Sequence, residues 1–164
     1  MIRIATLDDA EQMAKIHVQS WHETYTGIIR QEILDGRSVE DCKQLWQKLI
    51  VDQQHRITVY EKDGVVSGFL DGYLNPEQMI AEIRAFYLLK IIHGQGIGRA
   101  MFEQFYLSLK PEQHSTLRLG VLNKNPSRFF YEKMGGTAIG EESIPEYGKN
   151  IVEIFYQWEI QKIV

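Results

Sequence analysis

The sequence predicts a mixed α/β domain of the α+β kind, a mixed central sheet flanked by helices. Three observations carry that expectation. The apolar period changes along the chain, from three- and four-residue spacing in the first third to alternation in the middle. The order that results is strand, helices, three strands, helix, strand, helix, two strands, which calls for both antiparallel hairpins and parallel crossovers. With 164 residues, 44% of them apolar, the chain is long enough to bury a core as one domain over 1–164 without disulfides or metal staples.

Taken in order, "IRIAT" (2–6) alternates as a strand, and the acidic "DDAEQ" behind it suits a helix start. Ala10, Met13, Ala14, His17, Val18 and Trp21 mark one face of that helix, and Tyr25 lies four residues beyond Trp21. "IIRQEIL" (28–34) reads as a short helix. Ser38 opens another, with cap-like spacing to Asp41 and with Cys42, Leu45, Trp46 and Leu49 on one stripe. "RITVY" (56–60) and "VVSGFLDGY" (65–73) flank Asp63-Gly64, a tight-turn pair, and so form a hairpin. "AEIRAFYLL" (81–89) is a third strand, buried at its end. A helix from Ile97 carries Met101, Phe102, Phe105 and Leu109 inward and stops near Lys110-Pro111. "STLRLGV" (115–121) is a strand, Asn125 caps a helix with Pro126 at its first position, and Gly135-Gly136 ends it. "TAIGEE" (137–142) and "NIVEIFYQWEI" (150–160) close the sheet.

Several function classes are disfavoured at once. A net charge of −4 with no basic stripe argues against nucleic acid. The one cysteine, Cys42, forms no intrachain disulfide and reads as a core thiol. Histidines and acids lack metal-ligand spacing, so no metal is expected; His17 reads as a core histidine, and His55 and His114 as exposed. No apolar run is long enough for a membrane span and no leader pattern opens the chain, so a cytoplasmic protein is expected.

The stretch "IIHGQGIGRA" (91–100) sets Gly94, Gly96 and Gly98 at alternating positions between a strand and a helix. G-x-G-x-G fits neither the dinucleotide pattern G-x-G-x-x-G nor a Walker loop, since Arg99 and Ala100 follow Gly98. Two readings remain. The glycines serve a tight turn, or they leave helix N-terminal amides uncovered for an anion, with Arg99 adding charge.

"YLLKIIHGQGIGRAMFEQF" followed by "LRLGVLNKNPSRFFYEKMGG" resembles the two central signatures of the GCN5-related N-acetyltransferases (GNAT), and "IRIATLDDAEQMAKIHVQSW" is similar to their opening strand and helix. The resemblance runs along essentially the whole chain. It implies a GNAT-like acyl-CoA N-acyltransferase fold in which acetyl-CoA lies between two splayed parallel strands, ending near Leu89 and at 116–121. The pyrophosphate would rest on the amides of Gln95, Gly96, Ile97, Gly98 and Arg99. The pantetheine arm would pair with Phe86, Tyr87 and Leu88, Asn125 would contact the cofactor, and Tyr131 would stand near the sulfur. Two positions depart from the family pattern. His93 stands where glutamine or arginine is usual, and still offers a ring N–H to phosphate. Gly136 stands where phenylalanine is usual, which removes an aromatic anchor.

Acyl transfer to an amine needs a deprotonated nucleophile, a donor near the carbonyl oxygen and a proton for the departing thiolate. Tyr131, a phenol protonated at neutral pH, suits the last role. Glu82 or water is the expected base. Trp21, Tyr25, Asp71 and Tyr73 would line an acceptor cleft suited to a cationic amine, whether on a small molecule or a peptide. The alternative is a non-catalytic acyl-CoA binding or sensing module, favoured by His93. An apolar face on the closing strand makes a homodimer possible.

Overall fold

The computed structural model describes residues 1–161. Seven strands form one sheet: β1 (Ile2–Ile4), β2 (His55–Lys62), β3 (Val65–Asn75), β4 (Ile80–Leu88), β5 (Thr116–Leu122), β6 (Thr137–Ser143) and β7 (Val152–Glu159). Their order is β1-β2-β3-β4-β5-β7-β6. Helices α1 (Ala10–Tyr25), α2 (Gln31–Asp35) and α3 (Val39–Ile50) follow β1, α4 (Ile97–Leu107) connects β4 to β5, and α5 (Ser127–Lys133) follows β5. β4 and β5 pair in parallel, and the other pairs formed by the described residues are antiparallel.

Adjacent residues of β3 show how the sheet is covered, because side chains alternate between faces. Phe69 packs in a cluster with Met13 of α1, Trp46 of α3 and Val59 of β2. Leu70, next in sequence, packs with Met101, Phe102 and Phe105 of α4 on the other face. Burying each large apolar side chain contributes roughly 2 kcal/mol. A third cluster joins Trp21 and Tyr25 at the end of α1 to Leu34, Leu122 and Ile151, and it forms one wall of the site described below. The expected hairpin turn is present, with Asp63 and Gly64 both at positive φ (52° and 76°).

Four local differences from the sequence reading have physical causes. β1 ends at Ile4 because Thr6 starts a capping box with Asp9, whose carboxylate accepts from the Thr6 N–H at 2.7 Å and pairs with Arg3 at 2.8 Å. Leu45 is 42% exposed, since the buried stripe of α3 is narrow and runs through Cys42 and Trp46. His55 is not exposed: its Nδ1 lies 2.7 Å from the buried carboxylate of Asp71. His114 is also buried, and neither ring nitrogen has a partner among the described residues. Its backbone N–H donates to the Lys110 carbonyl at 2.9 Å, just beyond the core residue Leu109.

One irregularity positions the site. Asp71 pairs with Ala85 while Gly72 pairs with Ile83, so Arg84 is an extra residue in β4. Such a bulge bends its strand and raises the local twist. Parallel pairing with β5 is accordingly confined to Ile80–Glu82 against Thr116–Arg118, and the two strands diverge beyond it. Gly72 sits where a Cβ would lie 3.0 Å from Cδ2 of Phe105 and closer still to two other ring atoms, so only glycine fits beneath α4 there.

His17 is buried, as its place on the apolar face predicts, and its ring stacks on Tyr87 at 4.9 Å. Arg37 Nη1 at 2.9 Å from its Nε2 and Trp46 Nε1 at 3.3 Å from its Nδ1 are both donors only, so the ring must be neutral and offer a lone pair. Burial and then Arg37 lower its pKa from 6.5 to about 4. The unfolded chain therefore takes up a proton that the native state refuses, and the stability present above pH 6.5 is lost as pH falls toward 4. The expected loss is on the order of 3 kcal/mol. Denaturant midpoints measured at pH 7 and pH 4.5 check it, with the change much reduced in His17→Gln.

Candidate active site

The divergence of β4 and β5 opens a groove of about 900 Å³ whose lining includes Phe86, Leu88, Gly96, Gly98, Asn125 and Tyr131. Its outer end is the loop before α4. Gly94 and Gly96 have φ of 72° and 77°, the left-handed region, and a Cβ at either would meet nothing within 4 Å. These glycines are thus required by backbone conformation, and the space beside them is open. Gly98 differs, because a Cβ there would lie 3.0 Å from Cδ1 of Leu88, so it permits close approach of helix and strand. The first intrahelical bond runs from the Ala100 N–H to the Gly96 carbonyl, which leaves the amides of Ile97, Gly98 and Arg99 free at the positive end of an 11-residue helix. That arrangement suits an anion.

The other wall is the open edge of β4. The Leu89 N–H donates to Ser67 on β3 at 3.0 Å, so alternation turns the backbone groups of Phe86 and Leu88 away from β3 and into the opening. The Phe86 groups and the Leu88 N–H can pair with an extended arm. The side chains of the loop are employed differently from the sequence reading. His93 Nε2 is 2.8 Å from the Leu88 carbonyl, so that nitrogen carries a proton and donates to the strand end. His93 ties the loop to the strand end. Gln95 folds back to donate to the Ile91 carbonyl at 3.0 Å, and Arg99, at the groove rim, pairs with Glu103 at 2.7 Å.

A second cavity of about 210 Å³ adjoins the groove, lined by Trp21, Tyr25, Tyr87, Tyr147, Gly120 and Glu153 among others. Tyr25, Phe86, Tyr87, Asn125 and Tyr131 line both spaces, so Tyr131 stands at their junction. Its position follows from α5, on which Phe130 and Tyr131 pack at 5.3 Å while the Tyr131 ring is backed by Trp158 of β7. Burial raises the Tyr131 pKa above the ordinary phenol range, with Tyr25 and Tyr87 adding to it, so the hydroxyl keeps its proton at neutral pH. Asn125 uses both ends of its amide. Oδ1 accepts from the Ser127 N–H at 2.9 Å and Nδ2 donates to the Tyr25 hydroxyl at 2.8 Å, which ties the start of α5 to the end of α1. On the far wall Trp21 donates to the Tyr87 hydroxyl at 2.8 Å, and the guanidinium of Arg37 lies 3.8 Å from the Trp21 ring centre.

Three of the sequence candidates lie elsewhere. Glu82 is outside both spaces, 41% exposed and paired with Arg84 at 3.1 Å, because it precedes the bulge where β4 is still hydrogen-bonded to β5. Asp71 is buried on the α1 face and held by His55, and burial raises its pKa. Tyr73 stacks under Arg84, whose Cζ is 3.6 Å from the ring centre, near Gln54. Glu153, Tyr147 and Gly120 line the cavity and were not singled out in the sequence; the alternation of β7 was the available signal for Glu153, whose neighbours Ile154 and Tyr156 pack in the core on the other face.

A bulged, splayed parallel pair whose open edge leads into a glycine-capped helix N-terminus defines an acyltransferase architecture. The chain belongs to the acetyltransferase (GNAT) family, whose model matches residues 11–136. Its relatives include an uncharacterized N-acetyltransferase, YuaI, of Bacillus subtilis (strain 168), 28% identical over 160 residues that span 96% of this chain and 91% of that one. Among solved structures, PaiA N-acetyltransferase from Thermoplasma acidophilum in complex with coenzyme A is similar at a TM-score of 0.82, with 21% identity over 97% of this chain and 98% of that chain. Ribosomal-protein-alanine N-acetyltransferase from Brucella melitensis is similar at 0.77, with 20% identity over 97% and 99%. Among the described residues no helix is long and apolar enough to cross a membrane.

Proposed function

We propose that this protein transfers the acetyl group of acetyl-CoA to a primary amine of a small molecule or peptide by direct attack. The observation that carries the reading is the position of Tyr131 at the junction of an anion-ready groove and an aromatic-walled cavity. The residues fit the donor: three free amides stand at the N-terminus of α4, left-handed glycines leave the approach open, and an unpaired strand edge runs inward from them. Bound acetyl-CoA supplies an activated thioester. The amides of Ile97, Gly98 and Arg99 hold its pyrophosphate, and the open edge of β4 at Phe86 and Leu88 orients the arm and polarises the carbonyl. Tyr131 keeps its proton until the thiolate leaves and then donates it. Coenzyme A in the PaiA structure, on the same fold, supports the donor; the acceptor class rests on the cavity lining.

Free CoA released from acetyl-CoA, followed with a thiol reagent across polyamines, aminoglycosides, amino acids and N-terminal peptides, tests the reading. Release with at least one amine is expected. Measured acetyl-CoA binding with no release by any of them would favour a sensing module instead. The donor site has its own test in Gly96→Val. A β-branched residue at φ 77° is strained by about 1–2 kcal/mol, and reorienting the amides by that much weakens acetyl-CoA binding by about tenfold. Titration calorimetry reads the effect directly.

A further inference from the structure

We propose that Glu153 of β7 is the acceptor-side carboxylate, holding the incoming amine as an ammonium ion and taking its proton before attack. This assignment rests on the transferase reading above and names the residue that readies the nucleophile.

Glu153 lines the small cavity that Tyr131 closes, and it also lines the depression on the open face of the sheet beyond. It therefore stands between solvent and the junction where the acyl group would lie. The geometry is built by β5. Leu122 is the register partner of Glu153, and Gly120, two residues earlier, lies under its side chain. A Cβ at position 120 would come within 2.7 Å of the Glu153 Cδ and 3.0 Å of its Cγ, and closer to one carboxylate oxygen. Only glycine leaves this space free, so the carboxylate from β7 occupies the ground that a side chain of β5 would fill.

Its surroundings suit a cation. The guanidinium lining the same cavity, that of Arg84, is paired with Glu82, and Glu153 has no ion pair among those the described residues form. Trp21 and Tyr25 pack at 5.0 Å and Trp21 meets Tyr147 edge-on at 6.1 Å, which gives the cavity an aromatic wall. Aromatic faces and a carboxylate without a basic partner attract an ammonium group more strongly than any neutral acceptor. Burial, and then Glu142 across the β6–β7 pair, raise the pKa of Glu153 above the usual carboxylate range, which brings its basicity nearer that required of a proton acceptor. The titratable and charged groups that share these spaces with it are Glu82, Arg84 and Tyr87 of β4, Arg118 of β5, Tyr25 of α1, Tyr131 of α5 and Tyr147 of the β6–β7 connection, with Glu142 of β6 across the strand pair.

The proton account closes. Glu153 takes one proton from the ammonium group and passes it to solvent through the open face. The freed nitrogen lone pair forms the C–N bond as the C–S bond breaks, and the electron pair of that bond leaves on sulfur. Tyr131 protonates the thiolate, and the second N–H proton, lost as the amide forms, restores the Tyr131 hydroxyl.

Glu153→Gln tests the role, because it keeps the volume and removes the charge. For the amine that the wild type turns over best, kcat/KM is expected to fall about 100-fold, with the acid limb of its pH profile lost. Binding of the same amine to the CoA-free protein, read by calorimetry, is expected to weaken by about tenfold or more. Acetyl-CoA affinity should stay within about twofold. Gly120→Ala, which displaces the carboxylate without removing it, should give the same pattern at smaller amplitude. A Glu153→Gln enzyme within about twofold of wild type in kcat/KM and amine binding overturns the proposal, as does a parallel loss of acetyl-CoA affinity, which marks a structural role. A wild type that releases CoA with no amine overturns the transferase reading itself and Glu153's role with it.

Discussion

Tyr131→Phe is expected to lower kcat about 100-fold or more while acetyl-CoA binding and folding survive. The substitution removes one oxygen and leaves the ring, so the contacts with Phe130, Tyr156 and Trp158 that seat α5 against the sheet persist. What disappears is the proton at the junction of donor groove and acceptor cavity. A thiolate leaving without it must find its proton in water, and the half-buried lining of Phe86, Tyr87 and Asn125 leaves little there. Because the hydroxyl pKa is raised, the wild-type rate should show no limb in the ordinary phenol range that belongs to Tyr131. Turnover, acetyl-CoA titration and thermal melts on the one variant separate the outcomes. Unchanged kcat would remove the tyrosine from the chemistry, and a large fall in Tm would make it a packing residue.

The second large effect concerns stability. Gly136→Phe installs the residue usual at this place in the family pattern, and it is expected to destabilise the fold by about 3 kcal/mol, lowering Tm by about 10 °C. A Cβ at Gly136 already lies 2.6 Å from the Trp158 ring and 3.0 Å from the Tyr131 carbonyl. Trp158 is held from the other side by Phe102 at 5.1 Å and by its indole N–H, which donates to the Met134 carbonyl at 2.9 Å. The aromatic anchor that the Gly-Gly pair lacks is thus supplied by β7. Trimming Trp158 to Val in the same chain should recover part of the loss, and the coupling measured in a double-mutant cycle would show that the two rings compete for one space.

The core and the glycine loop were legible because each is written locally. Met101, Phe102 and Phe105 follow one helical stripe, Asp63-Gly64 has the chemistry of its turn, and Gly96 must be glycine for the φ of its own backbone. Other residues deceived for an equally physical reason. His93 stands beside the anion site in sequence, yet its ring turns to the Leu88 carbonyl, because a strand end that leaves its neighbour exposes an acceptor within the reach of that ring. Glu82 and Asp71 read as acids near a cleft from their places in β4 and β3, but Glu82 is paired with Arg84 outside the cavity and Asp71 is buried against His55, partners that no local pattern announces.

The sequence by itself determined the order of elements, most residues of the core, the glycine loop before α4 and the helix that bears Tyr131, since periodicity, turn chemistry and capping act over a few positions. Tertiary structure alone decided which strands part, which side chains share the opening and which carboxylate lines the cavity. Glu153 and Gly120 are far apart in the chain and meet only through the register of β7 on β5. Register is fixed by the packing of whole faces, here Tyr156 and Trp158 against α4 and α5, and no local pattern encodes it.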